Sequence, residues 1–129
     1  MNPIPSNARE LYDLLRQTPD LCGRLTLEAE DILRWDLWEG HRLSISLNQR
    51  EAYVALEATG RIPWQLTHWH TDNEVIPEEL RSLGLKDSLL VLRRSWFGEK
   101  TMFFAPGEDI PRGALRRGLV RKPLILKAQ

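Results

Sequence analysis

This chain has almost no cysteine and no long apolar run. Cys22 is the single cysteine among 129 residues, so the chain cannot close an internal disulfide or build a zinc site from cysteines. No segment approaches the roughly 20 consecutive apolar residues that are needed to cross a bilayer. The residues after Met1 lack the apolar core of a signal peptide. We therefore expect a cytoplasmic protein that does not insert into a membrane.

An excess of either charge is also missing. The chain has 18 basic and 18 acidic residues, and this balance gives no bulk attraction to nucleic acid. The distribution is uneven, because from Pro106 onward six basic side chains less two acidic ones leave a local net charge of +4. DNA-binding proteins commonly have a basic patch rather than a basic total. The tail therefore leaves DNA binding open.

Recognisable catalytic motifs are missing as well. The sequence contains no Gly-x-Ser-x-Gly nucleophile elbow, no phosphate-cradling glycine loop and no Cys/His pair with a third member. Glu78 and Glu79 follow Pro77, and we expect them in the first turn of a helix, where the helix dipole stabilises acidic side chains. The sequence therefore predicts a protein that is not an enzyme and that uses no cofactor.

One segment invites comparison with a metal site. Residues 68–72, His-Trp-His-Thr-Asp, are similar to the His-x-His-x-Asp segment of metallo-β-lactamase-type hydrolases, and histidines two positions apart point to one face of a strand. A zinc centre needs three or four ligands. Asn73 stands where that segment has its next histidine, and His41 is the one histidine left. We expect a surface strand rich in rings rather than a metal centre.

What the sequence does contain is an internal repeat. Residues 23–57 begin with an apolar alternation at 25–27 and continue with a segment at 28–35 whose apolar residues fit one face of a helix. Two alternating apolar runs follow at 43–47 and 53–56. A period of two is typical of half-buried strands, and a period near 3.6 is typical of a helix. The segment therefore predicts a β-α-β-β unit.

The same order returns in the second half of the chain. A predicted helix at 77–83 has Pro77 at its start and Gly84 just past its end. Both positions suit their residues, because proline has no N–H to leave unpaired and glycine accepts a left-handed turn. Apolar runs at 89–95 and 101–105 then predict a hairpin. This copy is also a predicted β-α-β-β unit.

Four short motifs give the repeat a family resemblance. They are 23–27 (GRLTL) and 37–43 (LWEGHRL) in the first copy, and 75–81 (VIPEELR) and 83–86 (LGLK) in the second. Their order is a Gly-Arg pair, alternating apolar residues, a short helix and an acidic-Gly turn before an apolar hairpin. This order resembles the AbrB/SpoVT swapped-hairpin family of bacterial transcription regulators and antitoxins.

The resemblance implies both a fold and a function. It implies an α+β, mainly β fold in which two swapped-hairpin units interleave into one small pseudo-twofold barrel, with an added N-terminal helix. It also implies a transcription regulator that binds double-stranded DNA, with arginines that contact phosphates and can read guanine. The sequence departs from the family at Glu28, Asp36 and Asn73, where proline, glycine and arginine are usual. The candidate DNA contacts are Arg24, Arg34, Arg81, Arg112, Arg116, Arg117, Arg121 and Lys122.

The pattern divides the chain into an N-terminal helix, a first copy, a linker strand, a second copy and a basic tail. The linker alternates apolar and polar residues, which predicts a strand. The tail admits two interpretations: residues 124–126 dock on the barrel, or its arginines follow the phosphates of DNA. The five segments span 1–21, 22–57, 58–73, 74–105 and 106–129.

The N-terminal segment has a capping signal. Asn7 and Glu10 have the spacing of a capping box, and an apolar stripe follows them. This pattern predicts a helix that covers the barrel and ends near Arg16 or Gln17.

Tryptophan is abundant and suggests a second function. A single small core is not expected to enclose five tryptophans, so some rings should lie at the surface, where clustered aromatic residues usually mark an interface. We therefore expect a homodimer or a larger assembly, or contact with a protein partner. The alternative to DNA binding is a non-enzymatic oligomerising or protein-interaction module. The five rings are Trp35, Trp38, Trp64, Trp69 and Trp96.

Overall fold

The protein is a small α+β protein that is mainly β. Its computed structural model describes residues 3–29, 31–95, 98–111, 113 and 122–129. These residues form two helices, a five-stranded antiparallel sheet and a three-stranded antiparallel sheet. In chain order the elements are α1 (Ala8–Arg16), β1 (Arg24–Ala29), β2 (Ile32–Trp38), β3 (His41–Leu47), β4 (Glu51–Ala58), β5 (Trp64–Asp72), α2 (Ile76–Leu83), β6 (Leu89–Ser95), β7 (Gly98–Phe104) and β8 (Leu124–Lys127).

The N-terminal helix is confirmed. The side-chain oxygen of Asn7 accepts a hydrogen bond from the backbone N–H of Glu10 at 2.9 Å, which satisfies one of the unpaired donors at the start of α1. The helix ends at Arg16, as predicted, and buries Ala8, Leu11 and Leu15. It therefore covers one face of the large sheet.

The large sheet is a meander in which each strand pairs with the next along the chain. Its inner face is apolar, because Leu43 lies opposite Leu56 and Ile45 lies opposite Val54, all fully buried. The intervening residues, such as Ser44, point away from the core. The predicted hairpin of the first copy is confirmed, and so is the linker strand, which is β5.

The helix predicted at 28–35 is wrong. Residues Ile32–Trp38 form β2, a strand paired with β1 on one side and β3 on the other. Leu33 and Trp35 are buried while Arg34 between them points outward, so the segment also has a period of two. Pairing on both edges satisfies its backbone and buries its apolar side chains, and this long-range gain overrides the local helical pattern.

The second copy matches the prediction in its helix and hairpin but not in its first strand, because β5 ends at Asp72 and the next element, α2, begins at Ile76. The predicted helix is α2, with proline in its first turn, and the predicted hairpin is β6 with β7. Gly84 ends the helix for a different reason from the one expected. Its φ of −82° is right-handed, and it has to be glycine because the ring of Trp35 lies against it.

One core joins both halves of the chain. Ile76 and Leu80 of α2 and Leu90 and Leu92 of β6 are buried in the same cluster as the inner face of the large sheet. The prediction of a shared core is therefore confirmed for Leu27, Leu43, Ile45, Ile76, Leu90 and Leu92, of which Leu27 is half-buried. Each fully buried side chain of this size stabilises the fold by about 1.5–3 kcal/mol.

Strand pairing differs from the predicted interleaving. Strands β1 to β4, which cover the first copy, pair with one another and with β5, whereas β6 and β7 of the second copy pair in the smaller sheet. Among the described residues, no strand of one copy pairs with a strand of the other. The two copies meet through side chains in the core instead.

The chain end docks on the small sheet. Strand β8 pairs antiparallel with β6, placing Leu126 opposite Leu90, and Leu126 is buried. The predicted docking of residues 124–126 is confirmed, although they dock on the small sheet rather than on a barrel, and the interpretation in which the tail's arginines follow DNA phosphates stays a prediction. Residues 112 and 114–121 lie outside the described part of the chain. In that described part, neither helix is long and apolar enough to span a membrane.

Candidate interaction surface

The outer face of the large sheet holds a network of opposite charges. Oε2 of Glu57 accepts hydrogen bonds from Nη1 of Arg34 at 3.2 Å and from Nε of Arg42 at 3.1 Å. Nε of Arg34 donates to the carboxylate of Glu28. The hydrogen bond that Arg34 donates to Glu28 is the main cause that raises the pKa of Arg34. The charges of both arginines are therefore compensated within the chain.

Among the described residues, the predicted DNA contacts Arg24, Arg34 and Arg81 do not share one face. Arg24 is exposed on β1 and has no ion pair within the described residues, and Arg34 lies near it on β2, paired as above. Arg81 lies on α2, which covers the opposite, inner face of the sheet. Its Nε donates to Oγ1 of Thr18 at 2.9 Å, and its Nη1 lies 3.7 Å from Glu78.

The tail contacts can be placed only in part. Lys122 is exposed. Arg112, Arg116, Arg117 and Arg121 lie outside the described residues.

An apolar surface lies at one end of the large sheet, where β4 turns into β5. Ile62 is 75% exposed and Trp64 is 69% exposed, with Pro63 between them also exposed. We call Ile62, Pro63 and Trp64 the Trp64 surface. Large apolar side chains with this much contact with water are typical of a binding surface when they stand side by side.

The strand ends fix the position of this surface. Trp64 pairs with Ala58 of β4, Ala58 pairs with His41 of β3, and His41 pairs with Trp38 of β2. The turn between β2 and β3 also holds the start of the β4–β5 connection, because the N–H of Thr59 donates to the carbonyl of Gly40 at 2.8 Å. The Trp64 surface is therefore anchored to a three-strand frame.

The other tryptophans are less accessible. Trp35 is fully buried, and its Nε1 donates to the carbonyl of Cys22 at 3.0 Å. Trp38 is 8% exposed, which gives it a packing role, and its buried Nε1 has no acceptor within the described residues. Trp69 is half-buried. Trp64 is thus the one exposed ring among the described tryptophans, and Trp96 lies outside that part of the chain.

The two neighbouring histidines share the outer face of β5, as predicted. Both are exposed. Nδ1 of His68 accepts a hydrogen bond from the side-chain amide of Gln65 at 2.9 Å, and the ring of His70 lies 6.2 Å from the ring of Tyr53. In the described ranges, no group of three or more His, Cys, Asp and Glu residues could hold a metal ion.

One contact was missed by the sequence analysis. Nε1 of Trp69 donates to Oε1 of Glu79 at 2.7 Å, linking β5 to α2. The sequence assigned Glu79 to the first turn of a helix, and that is its position. No sequence signal connected the two residues, because ten positions and a change from strand to helix separate them.

Comparisons with known proteins return nothing for this chain. No protein-family model matches it, and neither the curated proteins nor the solved structures contain a match. Its function therefore has to be inferred from its own residues.

Proposed function

We propose that this protein is a non-enzymatic interaction module that associates with a second copy of itself through the Trp64 surface. The observation that carries the proposal is the exposure of Ile62 and Trp64, at 75% and 69%, on either side of Pro63 where β5 begins. Tryptophan is among the residues most enriched at the centres of protein interfaces. Covering a large exposed apolar pair with a partner is favourable, because it removes apolar surface from water.

Charge supports a second copy as that partner. The net charge of the chain is zero, so two copies approach one another without the repulsion that keeps strongly charged proteins apart. The basic residues Arg34 and Arg42 of the outer face are compensated within each chain. A self-complementary contact of this kind is the usual basis of a twofold dimer.

Light scattering at micromolar concentrations tests the proposal. We expect a mass near twice 15.0 kDa for the natural chain, falling to the single-chain mass in Trp64→Ser. Tyr53→Ser is the matched control, because Tyr53 is 46% exposed at the other end of the same hairpin. A mass of 15.0 kDa for the natural chain across the range would contradict self-association.

A second candidate function is binding of double-stranded DNA, and Arg24 favours it. This arginine belongs to the Gly-Arg motif, is exposed, and is without an ion pair in the described part of the chain. An unpaired arginine on a strand can contact a phosphate or a guanine edge. Membership of the AbrB/SpoVT family, with its swapped-hairpin barrel, stays a prediction, and it belongs to this candidate.

A gel-shift series against genomic fragments at two salt concentrations tests the second candidate. Phosphate contacts make DNA affinity fall steeply with salt, so we expect binding at low salt that weakens at high salt and in Arg24→Gln. Arg50→Gln is the control, since Arg50 is exposed at a turn outside the Gly-Arg motif. An absence of binding at low salt would remove this candidate.

A further inference from the structure

A cavity of about 440 Å³ opens between the edge of the large sheet and the small sheet. Strand β5 and helix α2 form one side, and β6 and β7 form the other. The volume lies in the range of about 300–1,000 Å³ that is typical of small-molecule sites. The cavity is large enough for a compact organic molecule.

The walls of the cavity are mainly apolar. Leu83 and Leu90 are each 3% exposed and form the deepest part, and the rings of Trp69 and Phe103 lie half-buried beside them. Two aromatic rings and two leucines favour a ligand with an apolar, planar body.

One carboxylate supplies the charge of the cavity. Oε1 of Glu79 accepts the 2.7 Å hydrogen bond from Trp69, which fixes the side chain in the lining. Its second oxygen, Oε2, has no protein partner within the described residues. A carboxylate oxygen of a half-buried glutamate whose other oxygen is already held by a hydrogen bond is suited to a cationic or N–H donor.

The other polar groups do not oppose a cation. Ser82 and Thr101 contribute hydroxyl groups, and Oγ of Ser82 already donates to the carbonyl of Glu78 at 3.0 Å. Among the described lining residues there is no lysine or arginine, and Nδ1 of His68 accepts the hydrogen bond from Gln65.

We propose that this cavity binds a small aromatic amine, with its ring against Trp69 and Phe103 and its ammonium group on Oε2 of Glu79. The apolar walls select the ring, and the single fixed carboxylate selects the positive charge. An aromatic acid of the same size is excluded by repulsion from Glu79. This site is separate from the Trp64 surface, and neither depends on the other.

Titration of the full chain with 2-phenylethylamine tests the proposal. The readout is the indole N–H signal of Trp69 in a nitrogen-proton correlation spectrum, identified by its loss in Trp69→Phe. We expect the signal to shift saturably with the amine, and to stay in place with 3-phenylpropanoate and with 2-phenylethanol. An unmoved signal up to millimolar amine, or an equal response to the acid or the alcohol, would overturn the proposal.

A pair of variants isolates the carboxylate. Glu79→Gln keeps an oxygen acceptor for Trp69 and removes the charge, so we expect the Kd for the amine to rise about tenfold or more, the effect of losing a charge-assisted hydrogen bond. Glu78→Gln is the control, because Glu78 is the adjacent acid of the same helix but does not line the cavity. Equal Kd values for the natural chain and Glu79→Gln would also overturn the proposal. If Glu79→Gln does not fold, its whole spectrum loses dispersion, and Glu79→Ala is measured in its place.

Discussion

The indole ring of Trp35 lies directly against the backbone of Gly84. A Cβ atom added to Gly84 would lie 2.6 Å from Cη2 and 2.7 Å from Cζ2 of Trp35, and 2.8 Å from Cδ2 of Leu21. Cys22 bridges the two residues, because its N–H donates to the carbonyl of Gly84 at 2.8 Å and its carbonyl accepts from Nε1 of Trp35 at 3.0 Å. The end of α2 is therefore locked onto the large sheet at a point where no side chain fits.

Gly84→Ala should lower the free energy of unfolding by about 1–3 kcal/mol, because the added methyl group overpacks a site closed by an immobile ring. Gly60→Ala is the matched control, since no described atom lies within 4 Å of its Cβ position. We expect that control to be neutral or slightly stabilising. Denaturant unfolding of both variants checks the prediction, and equal midpoints would contradict it.

Gly23 combines a left-handed backbone with a close approach. Its φ is +78°, and an added Cβ would lie 2.7 Å from the carbonyl oxygen of Asp36; Gly40 has a similar φ of +76° but no described atom within 4 Å. Both Gly→Ala variants should be destabilised by roughly 1–2 kcal/mol, because a residue with a Cβ atom is strained in a left-handed conformation. Gly23→Ala should lose about 1–3 kcal/mol more from overpacking. If chemical denaturation finds the two variants equally stable, the contact at Gly23 is not restrictive.

The start of α1 should be sensitive to acid. Hydrogen bonds from the hydroxyl and N–H of Ser6 lower the pKa of Glu10. A lowered pKa contributes stability that is present above the unfolded-state pKa and is lost as the pH falls through the folded-state pKa. The melting temperature of Ser6→Ala should therefore be lower than that of the natural chain at neutral pH and equal to it in strong acid. Thermal melts across that pH range measure this, and a difference in melting temperature that does not change with pH would refute it.

The charge network on the outer face should contribute modestly to stability. Glu57 bridges Arg34 and Arg42, with the three side chains 20–25% exposed. We expect Glu57→Gln to cost about 1 kcal/mol at low salt and less at high salt, because salt screens partly exposed ion pairs. Denaturation at two salt concentrations is the check. A cost that does not change with salt would point to packing rather than charge.

Local signals predicted some elements well and others not at all. The cap at Asn7 and the proline in the first turn of α2 each mark the start of a helix within a few adjacent residues, so the sequence predicts both helices. Residues 32–38 carry no such marker and fit both a helix and a strand. Pairing with β3 decides that these residues form a strand, and the sequence of a single segment contains no information about its pairing partner.

Interactions between elements were harder to predict for the same reason. The contact of Trp35 with Gly84 and the hydrogen bond of Trp69 to Glu79 both depend on how α2 docks on the large sheet. The sharing of Glu57 by two arginines depends on strand register. The exposure of Trp64 rather than Trp38 is decided by which strand end the core covers, and sequence periodicity does not contain that information.

Self-association through the Trp64 surface can be followed by the accessibility of the Trp64 indole at low and high protein concentration. A soluble paramagnetic agent broadens the N–H signals that it can reach, and Trp64→Phe identifies the signal. If a second copy covers the Trp64 surface, the signal should be strongly broadened in dilute protein and protected in concentrated protein, while the buried Trp35 signal stays sharp in both. Equal broadening of the Trp64 signal at both concentrations would contradict self-association through this surface.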